Sequence, residues 1–335
     1  MRVKIIFLFL IFLTFLFSQE DTLKEEKPIK ERNYRSYFIA SEVVLGIGIY
    51  SWTLPLGLGL KDRLAVALGL WTPAISFFAS SRVRKVKASG TPLQSFFGGI
   101  SGVWRGAWLN PVWNPNNKIN EYTLPLIFSL TENIGGYFLS EKLKFGVEDA
   151  WRYLNFNILG ISHSVFIQLL TIKYYDERDL PKFKYWFHLY AFLPALEGYC
   201  GSIILSKEKN ITFGDAFCEL EYARLGITSP IAFLGGMELL TNKDFFNKNS
   251  VALSSLLGSC LGYYFGYKMS KERDLSLGKA LLVSFAPRMI EGIILGTVVL
   301  IASENWDRTK WGITLITLSI ADPIGTYLID KKLNE

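Results

Sequence analysis

Histidine and cysteine, the residues that most often bind metals or act as nucleophiles, are scarce in this chain. Its 335 residues include 2 histidines and 3 cysteines. His163 and His188 each stand alone, with no second histidine or carboxylate at the spacing that a metal site uses. The cysteines show no Cys-x-x-Cys spacing, so they predict neither a metal site nor a disulfide framework. We therefore expect no metal and no cofactor, and we interpret the cysteines as small buried apolar residues.

Recognisable catalytic motifs are missing as well. The pairs Gly46-x-Gly48 and Gly57-x-Gly59 follow no predicted strand and precede no Gly-Lys-Ser, so they do not predict a phosphate-binding loop. No nucleophile elbow is present. The sequence therefore favours a role without catalysis, identifies no catalytic residue, and indicates neither a substrate nor a reaction.

A strong charge of one sign is also absent. The chain has 36 Lys and Arg against 30 Asp and Glu, for a net charge of +6. These charges are mixed within the same loops, unlike the continuous basic stripe of a nucleic-acid-binding protein, so no nucleic-acid partner is expected. Lys and Arg are nearly balanced between alternate loops, which leaves the membrane topology open.

Apolar residues and glycine are plentiful, and one glycine recurs at even steps. Half of the residues are hydrophobic and 28 are glycine. Gly-Tyr begins at Gly136, Gly198 and Gly262, and Gly325 continues the series, at steps of 62, 64 and 63 residues. Such a period predicts tandem repeats of a helical hairpin. In each repeat, a first helix carries this glycine and a second helix follows.

The segments between turns predict an all-α fold. Stretches of 19 or more residues rich in Gly, Ala and Leu are too long for strands. We expect ten helices in a single domain over residues 36–335. The predicted helices span 36–58, 63–81, 91–113, 122–143, 147–172, 184–206, 214–240, 249–269, 276–303 and 310–331.

The first residues are typical of a targeting segment. Residues 1–18 combine a short basic lead, an apolar core and a small residue at the end, which predicts a signal peptide. An uncleaved membrane anchor is the alternative. Residues 19–35 are polar and of mixed charge, as in a flexible tether. The chain is therefore expected to be exported to the cell envelope, with the inner and outer membranes both possible.

Several segments are long and apolar enough to cross a bilayer. Uncharged runs of 18 to 20 residues lie at Val43–Leu60, Leu64–Ser81, Tyr153–Ile172 and Asn249–Tyr267. Three more segments reach this length if one carboxylate is tolerated in each. Aromatic residues cluster near many segment ends, as in an interfacial belt. We expect a membrane-embedded bundle whose main partner is membrane lipid.

Small residues recur at helical spacing within these segments. Three glycines four residues apart occur twice, and shorter versions occur elsewhere, which resembles the glycine-zipper packing motif. Since each interior glycine costs about 1 kcal/mol relative to alanine, close helix packing is expected in return. The glycines expected at helix contacts are Gly98, Gly102, Gly106, Gly136, Gly198, Gly258, Gly262, Gly266, Gly292 and Gly296.

Charged residues inside these apolar segments are the candidate site. First helices carry acids and second helices carry arginines, and an unpaired ion in hydrocarbon is costly. We expect acid–arginine pairs between first and second helices, which either fix helix register or line a polar conduit. The candidates are Glu132, Glu197, Asp322, Arg105, Arg152, Arg224, Arg288 and Glu291.

The sequence thus favours a structural or transport-like component of an envelope membrane, with a possible protein partner in the envelope. A soluble periplasmic helical scaffold, binding a protein partner through its aromatic faces, is the alternative. An intramembrane transferase is the third hypothesis.

Overall fold

The architecture is entirely helical. The computed structural model describes residues 33–114, 120–171, 180–206, 211–271, 274–301 and 307–334, and these ranges contain ten helices and no strand. This confirms the predicted fold class and helix number. The helices are α1 (Arg35–Gly57), α2 (Asp62–Ser81), α3 (Thr91–Trp113), α4 (Thr123–Leu143), α5 (Val147–Thr171), α6 (Leu180–Leu205), α7 (Phe213–Thr241), α8 (Lys248–Ser270), α9 (Leu277–Ile301) and α10 (Arg308–Asn334).

Two of the expected segments cannot be compared with this architecture. The signal peptide at 1–18 and all but the last three residues of the tether at 19–35 lie outside the described residues.

Local chemistry explains where several helices begin and end. A capping box starts α7, since the Thr212 hydroxyl accepts from the Asp215 N–H while Asp215 accepts from the Thr212 N–H. Asn247 caps α8 by accepting from the Ser250 N–H at 2.9 Å. Helix α4 ends at Lys144, whose φ of 57° is left-handed, so the chain turns away there.

Prolines lie inside seven of the ten helices: Pro55, Pro73, Pro111, Pro194, Pro230, Pro287 and Pro323. In water an interior proline costs about 3 kcal/mol, because it removes a hydrogen bond and crowds the preceding turn. Proline is more frequent in transmembrane helices, where neighbouring helices satisfy the freed carbonyl groups. This frequency is therefore typical of a membrane protein.

The chain divides into two compact units, Met1–Ala150 and Trp151–Glu335. In the N-terminal unit, α3 and α4 form the most extensive helix pair, and α1 packs on α2 and α3. The Gly90 N–H donates to the Phe145 carbonyl at 2.9 Å. This hydrogen bond joins the residue before α3 to the segment that follows α4.

The C-terminal unit is organised around α7, which packs against α8, α9 and α10. Apolar residues from α7 and α9 form its core, including Cys218, Ala280 and Val283. The single domain expected over residues 36–335 stays a prediction.

Four helices are long and apolar enough to cross a membrane: Arg35–Gly57, Asp62–Ser81, Val147–Thr171 and Arg308–Leu333. They suggest a membrane protein. Three of them overlap the uncharged runs found in the sequence. The fourth differs, since α10 qualifies despite Asp322, whereas the uncharged run Asn249–Tyr267 in α8 is rich in serine and glycine and is less apolar.

The surface of the protein carries large apolar side chains, and its interior contains charged ones. On α2, Leu70, Trp71 and Phe78 have exposed fractions of 74%, 63% and 65%. In contrast, the side chains of Arg152 and Glu219 are completely buried. Large apolar residues thus face outward while ionised residues face inward.

The cysteines follow the same distribution, and the expectation that all three are buried is wrong. All three are free, but only Cys218 is buried. Cys200 on α6 and Cys260 on α8 are exposed. They lie beside outward-facing apolar residues such as Ile204 and Leu261, so their apolar character does not require the core.

Candidate functional site

Close backbone contact between α3 and α4 sets the frame for the charged residues of the N-terminal unit. A Cβ atom added at Gly98, Gly102 or Gly106 would overlap the backbone of α4. In the reverse direction, a Cβ added at Gly136 would lie 2.7 Å from the Gln94 carbonyl oxygen of α3. The two helix backbones are therefore in close contact at each of these glycines.

The α7–α8 pair is built in a similar way. A Cβ at Gly258 or Gly262 would overlap the backbone of α7, and one at Gly226 would overlap Gly258 in return. Gly266 is less restricted, because its nearest neighbour, the Glu219 Cα atom, would be 3.1 Å away.

The remaining glycine candidates behave differently. A Cβ at Gly198 of α6 would overlap the Asn157 side chain of α5. A Cβ at Gly292 would meet no atom of the described residues within 4 Å, so none of these residues packs closely against this glycine. Gly296 lies where the structure does not describe the surroundings.

In the N-terminal unit, Arg105 of α3 forms a bidentate ion pair with Glu132 of α4 through its Nε and Nη2 atoms. The side chains are 3% and 10% exposed. The pair joins α3, a second helix of the predicted repeat, to α4, a first helix.

A second carboxylate of this unit has neutral partners. Glu42 of α1 accepts from the Ser95 hydroxyl and from the Asn133 amide, each at 2.9 Å. Glu42 is buried, and no cation pairs with it among the described residues. Three helices of the unit thus meet at one carboxylate oxygen.

In the C-terminal unit, Arg152 of α5 pairs with Glu219 of α7. Its Nε and Nη2 atoms donate to the two carboxylate oxygens at 3.0 and 2.7 Å. Glu219 also accepts from the Tyr263 hydroxyl at 2.7 Å and from the Ser270 hydroxyl at 3.0 Å. Arg152 Nη1 donates to the Leu205 carbonyl at 3.1 Å. This buried pair is thus well supplied with hydrogen bonds, as a desolvated ion pair requires.

Sequence reasoning did not single out Glu219. It expected first helices to supply the acids, whereas Arg152 and Glu219 both lie on second helices. The only signal for Glu219 is that it stands close to Glu221 and Arg224 in the first half of α7.

A larger group of charges lies between α7, α9 and α10, and we refer to Glu221, Arg224, Arg288, Glu291 and Asp322 as the α7/α9/α10 cluster. Arg224 Nη2 donates to Glu221 Oε1 at 2.7 Å and to Asp322 Oδ2 at 3.0 Å. Arg288 and the Ser284 hydroxyl both donate to Glu221 Oε2. Arg224 and Arg288 are 29% and 34% exposed, so the cluster reaches the surface of the unit.

One carboxylate oxygen of this cluster lacks a hydrogen bond from the described residues. This oxygen is Asp322 Oδ1, and it is buried. The carboxyl group of Glu291, on α9, lies within hydrogen-bonding reach of Asp322. One turn further along α10, the Thr326 hydroxyl is also buried, and none of the residues that the structure describes is its hydrogen-bond partner.

The candidate Glu197 meets a histidine instead of an arginine. His163 Nδ1 lies 2.9 Å from each carboxylate oxygen of Glu197, and its Nε2 lies 2.9 Å from Ser259 Oγ. The histidine and glutamate side chains are 12% and 22% exposed, and Ser259 is buried. Sequence spacing could not reveal this line of three residues, because they lie on α5, α6 and α8.

These groups differ in what they can do chemically. None of the described residues forms a set of three or more His, Cys, Asp or Glu side chains that could hold a metal ion. The Arg105–Glu132 and Arg152–Glu219 pairs are neutral overall and suited to fixing helix positions. The α7/α9/α10 cluster and the His163 line each contain groups that can gain or lose a proton.

Comparison with known proteins yields no relative. No family model, no curated protein and no solved structure matches the chain. The function is therefore argued from the geometry of these groups.

Proposed function

We propose that the chain is a membrane-embedded helical-repeat protein of the cell envelope with a structural or transport-like role. The observation that supports it is the reversed distribution of polarity, with large apolar side chains outside and ionised side chains inside. Bilayer lipid solvates outward-facing Leu, Phe and Trp, whereas water does not, and charged residues in such a protein turn toward the bundle interior. Seven helices with interior proline add independent support.

The proposal includes tandem repeats packed through a glycine zipper. The α3–α4 and α7–α8 pairs have comparable contacts: Gly226 follows Gly102 by 124 residues, close to two periods, and both meet the backbone of the following helix. Gly262 and Gly266 take the places of Gly136 and Ser140. Such correspondence is what duplication of a hairpin would produce.

Extraction of cell membranes with alkaline carbonate or urea tests the proposed membrane location. We expect the protein to stay in the membrane pellet and to dissolve only in detergent. Release into the soluble fraction would reject the embedded protein and favour the periplasmic scaffold, whose exposed apolar faces would then have to be covered by a protein partner.

The His163 line supports a second candidate function, an intramembrane transferase. A serine hydroxyl against Nε2 of a histidine whose Nδ1 faces a carboxylate is the arrangement of an activated nucleophile. In this reaction Ser259 Oγ would attack the carbonyl carbon of an acyl ester while its proton passes to His163 Nε2. The ester bond would then break, the alcohol would leave with that proton, and a second alcohol would take the acyl group from Ser259. The arrangement also has a simpler use, because Ser259 Oγ lies 2.8 Å from the Leu256 carbonyl and can donate there instead.

A fluorophosphonate probe, which phosphonylates activated serines, separates these uses. A transferase predicts labelling that is lost in Ser259→Ala but kept in Ser255→Ala, since Ser255 lies one turn earlier on α8 and is equally buried. Failure to label the native protein in membranes would reject the transferase.

A further inference from the structure

The α7/α9/α10 cluster contains one more acid than base. Its carboxylates are those of Glu221, Glu291 and Asp322, and its guanidinium groups are those of Arg224 and Arg288. With every group ionised, the cluster would carry one negative charge. In a low-dielectric environment an uncompensated charge is costly, so a positive ligand of unit charge would be stabilised there.

The position of the excess charge can be identified from the hydrogen bonds. Both oxygens of Glu221 accept from arginine, and Asp322 Oδ2 accepts from Arg224. Asp322 Oδ1, however, is buried and receives no hydrogen bond within the described ranges, and the Glu291 carboxyl is a neighbour of Asp322. Two carboxylates in contact repel each other unless one of them is protonated.

We propose that the cluster is a proton-binding site in which Glu291 and Asp322 share one exchangeable proton. The proton would supply the hydrogen bond that Asp322 Oδ1 lacks and would make the cluster neutral. The proposal deepens the transport-like role by naming the ion, and it rests on the proposed membrane location, because surrounding lipid keeps water away from the excess charge.

A metal cation fits this position less well than a proton. The Arg224 guanidinium lies 3.0 Å from Asp322 Oδ2 and would repel a metal ion bound to the same carboxylate. A metal ion would also require several oxygen ligands, whereas a shared proton requires two.

Two neighbouring hydroxyl groups, on α7 and α9, already have partners of their own. On α7, the Tyr222 hydroxyl donates to Asp330 Oδ2 of α10 at 2.6 Å, which places that acid in its own hydrogen bond two turns beyond Asp322. On α9, Ser284 donates to Glu221 at 3.1 Å. Glu291 is the partly exposed member of the pair, and Asp322 is the buried one.

Infrared spectroscopy of the purified protein in lipid tests the proposal directly. A protonated carboxyl group has a C=O stretching band that is separate from the carboxylate bands and shifts in D₂O. At neutral pH we expect this band in the native protein, and we expect Glu291→Gln and Asp322→Asn each to lose the intensity of one carboxyl group. Glu238→Gln is the control, because Glu238 lies on a helix of the cluster, α7, but accepts from the Phe246 N–H outside the cluster.

The outcomes are distinct. Any intensity of the C=O band that remains in every variant belongs to other acids, for example Glu42. The test therefore compares each variant with the native spectrum. No loss of intensity in either cluster variant, with folding verified by circular dichroism, would overturn the proton site. Carbonate extraction is read separately, so a protein that leaves the membrane but keeps the band would reject the proposed location and retain the site.

Discussion

At the scale of single residues, a desolvated ion is tolerated when another charge balances it and when its remaining lone pairs or protons form hydrogen bonds. Arg152 and Glu219 meet both conditions, since Tyr263, Ser270 and the Leu205 carbonyl complete the hydrogen bonds around the pair. Removing one partner leaves the other charge buried, which costs more than the pair itself contributes.

The substitution Glu219→Gln should therefore be strongly destabilising. We expect the free energy of unfolding to fall by about 3–5 kcal/mol, because the Arg152 charge would stay buried without a counter-charge. Chemical unfolding in detergent micelles, followed by circular dichroism, measures the change. Glu238→Gln is the control on the same helix and should be close to neutral.

A double variant shows whether the buried charge causes this loss. Arg152→Met combined with Glu219→Leu removes both ions and should be less destabilising than Glu219→Gln alone. A double variant that is less stable than the single variant would contradict this account of the pair.

The sequence predicts which charged residues need partners more readily than it predicts which distant residues those partners are. The positions of Arg105, Arg152 and Asp322 within apolar segments marked them as groups that need partners. The partners depend on which helix faces which, and Glu219 lies 67 residues from Arg152, too far for local periodicity to connect them. The contacts of His163 extend over 34 and 96 residues and were missed for the same reason.

At the scale of the helices, glycine determines how closely two backbones approach. The α4 helix provides a clear contrast, because it carries two adjacent glycines. Gly136 faces α3, where a Cβ would come within 2.7 Å of the Gln94 oxygen, whereas a Cβ at Gly135 would meet no atom within 4 Å. Sequence spacing indicated Gly136, and only the structure shows that its neighbour is unrestricted.

Alanine at these two positions should have opposite effects. Gly136→Ala should reduce the free energy of unfolding by about 1–3 kcal/mol, because the α3 backbone has to move. Gly135→Ala should stabilise the protein by up to about 1 kcal/mol through its helix propensity. Thermal unfolding of the two variants in the same detergent makes the comparison, and equal changes would show that the α3–α4 contact does not depend on glycine.

Helix boundaries were largely predictable, because glycine, proline and polar turn residues separate the apolar segments. Helix α3 has the predicted bounds of 91–113. Helix α6 begins at Leu180, four residues before the predicted start, and Pro181 is its second residue. Proline is accepted in the first turn of a helix, where its missing N–H would have no intrahelical partner.

At the scale of the whole molecule, the outward-facing apolar surface distinguishes a protein in lipid from one in water. Helix α2 carries this surface most clearly, since only 11% of its most apolar stretch is buried. Its composition made it predictable as a span, but the sequence alone could not assign its outer face, because almost all of its side chains are apolar.

A charge placed on this face should act in opposite directions in the two environments. In a membrane, Leu70→Lys should disfavour insertion of α2 by about 2.5–3.5 kcal/mol and reduce the amount of protein in the membrane fraction. In water, the same change should improve solubility. Quantitative blotting of membrane and soluble fractions decides between them, with Leu70→Ile as the apolar control.

Cys200 and Cys260, the two exposed thiols, provide a natural pair of reporters. In a bilayer their sulfur atoms would face acyl chains, so an uncharged maleimide that dissolves in oil should modify them while a sulfonated maleimide should not. The buried Cys218 should resist both reagents until the protein unfolds. The native chain thus carries its own probes of depth, and no engineered label is needed to find out which solvent surrounds α6 and α8.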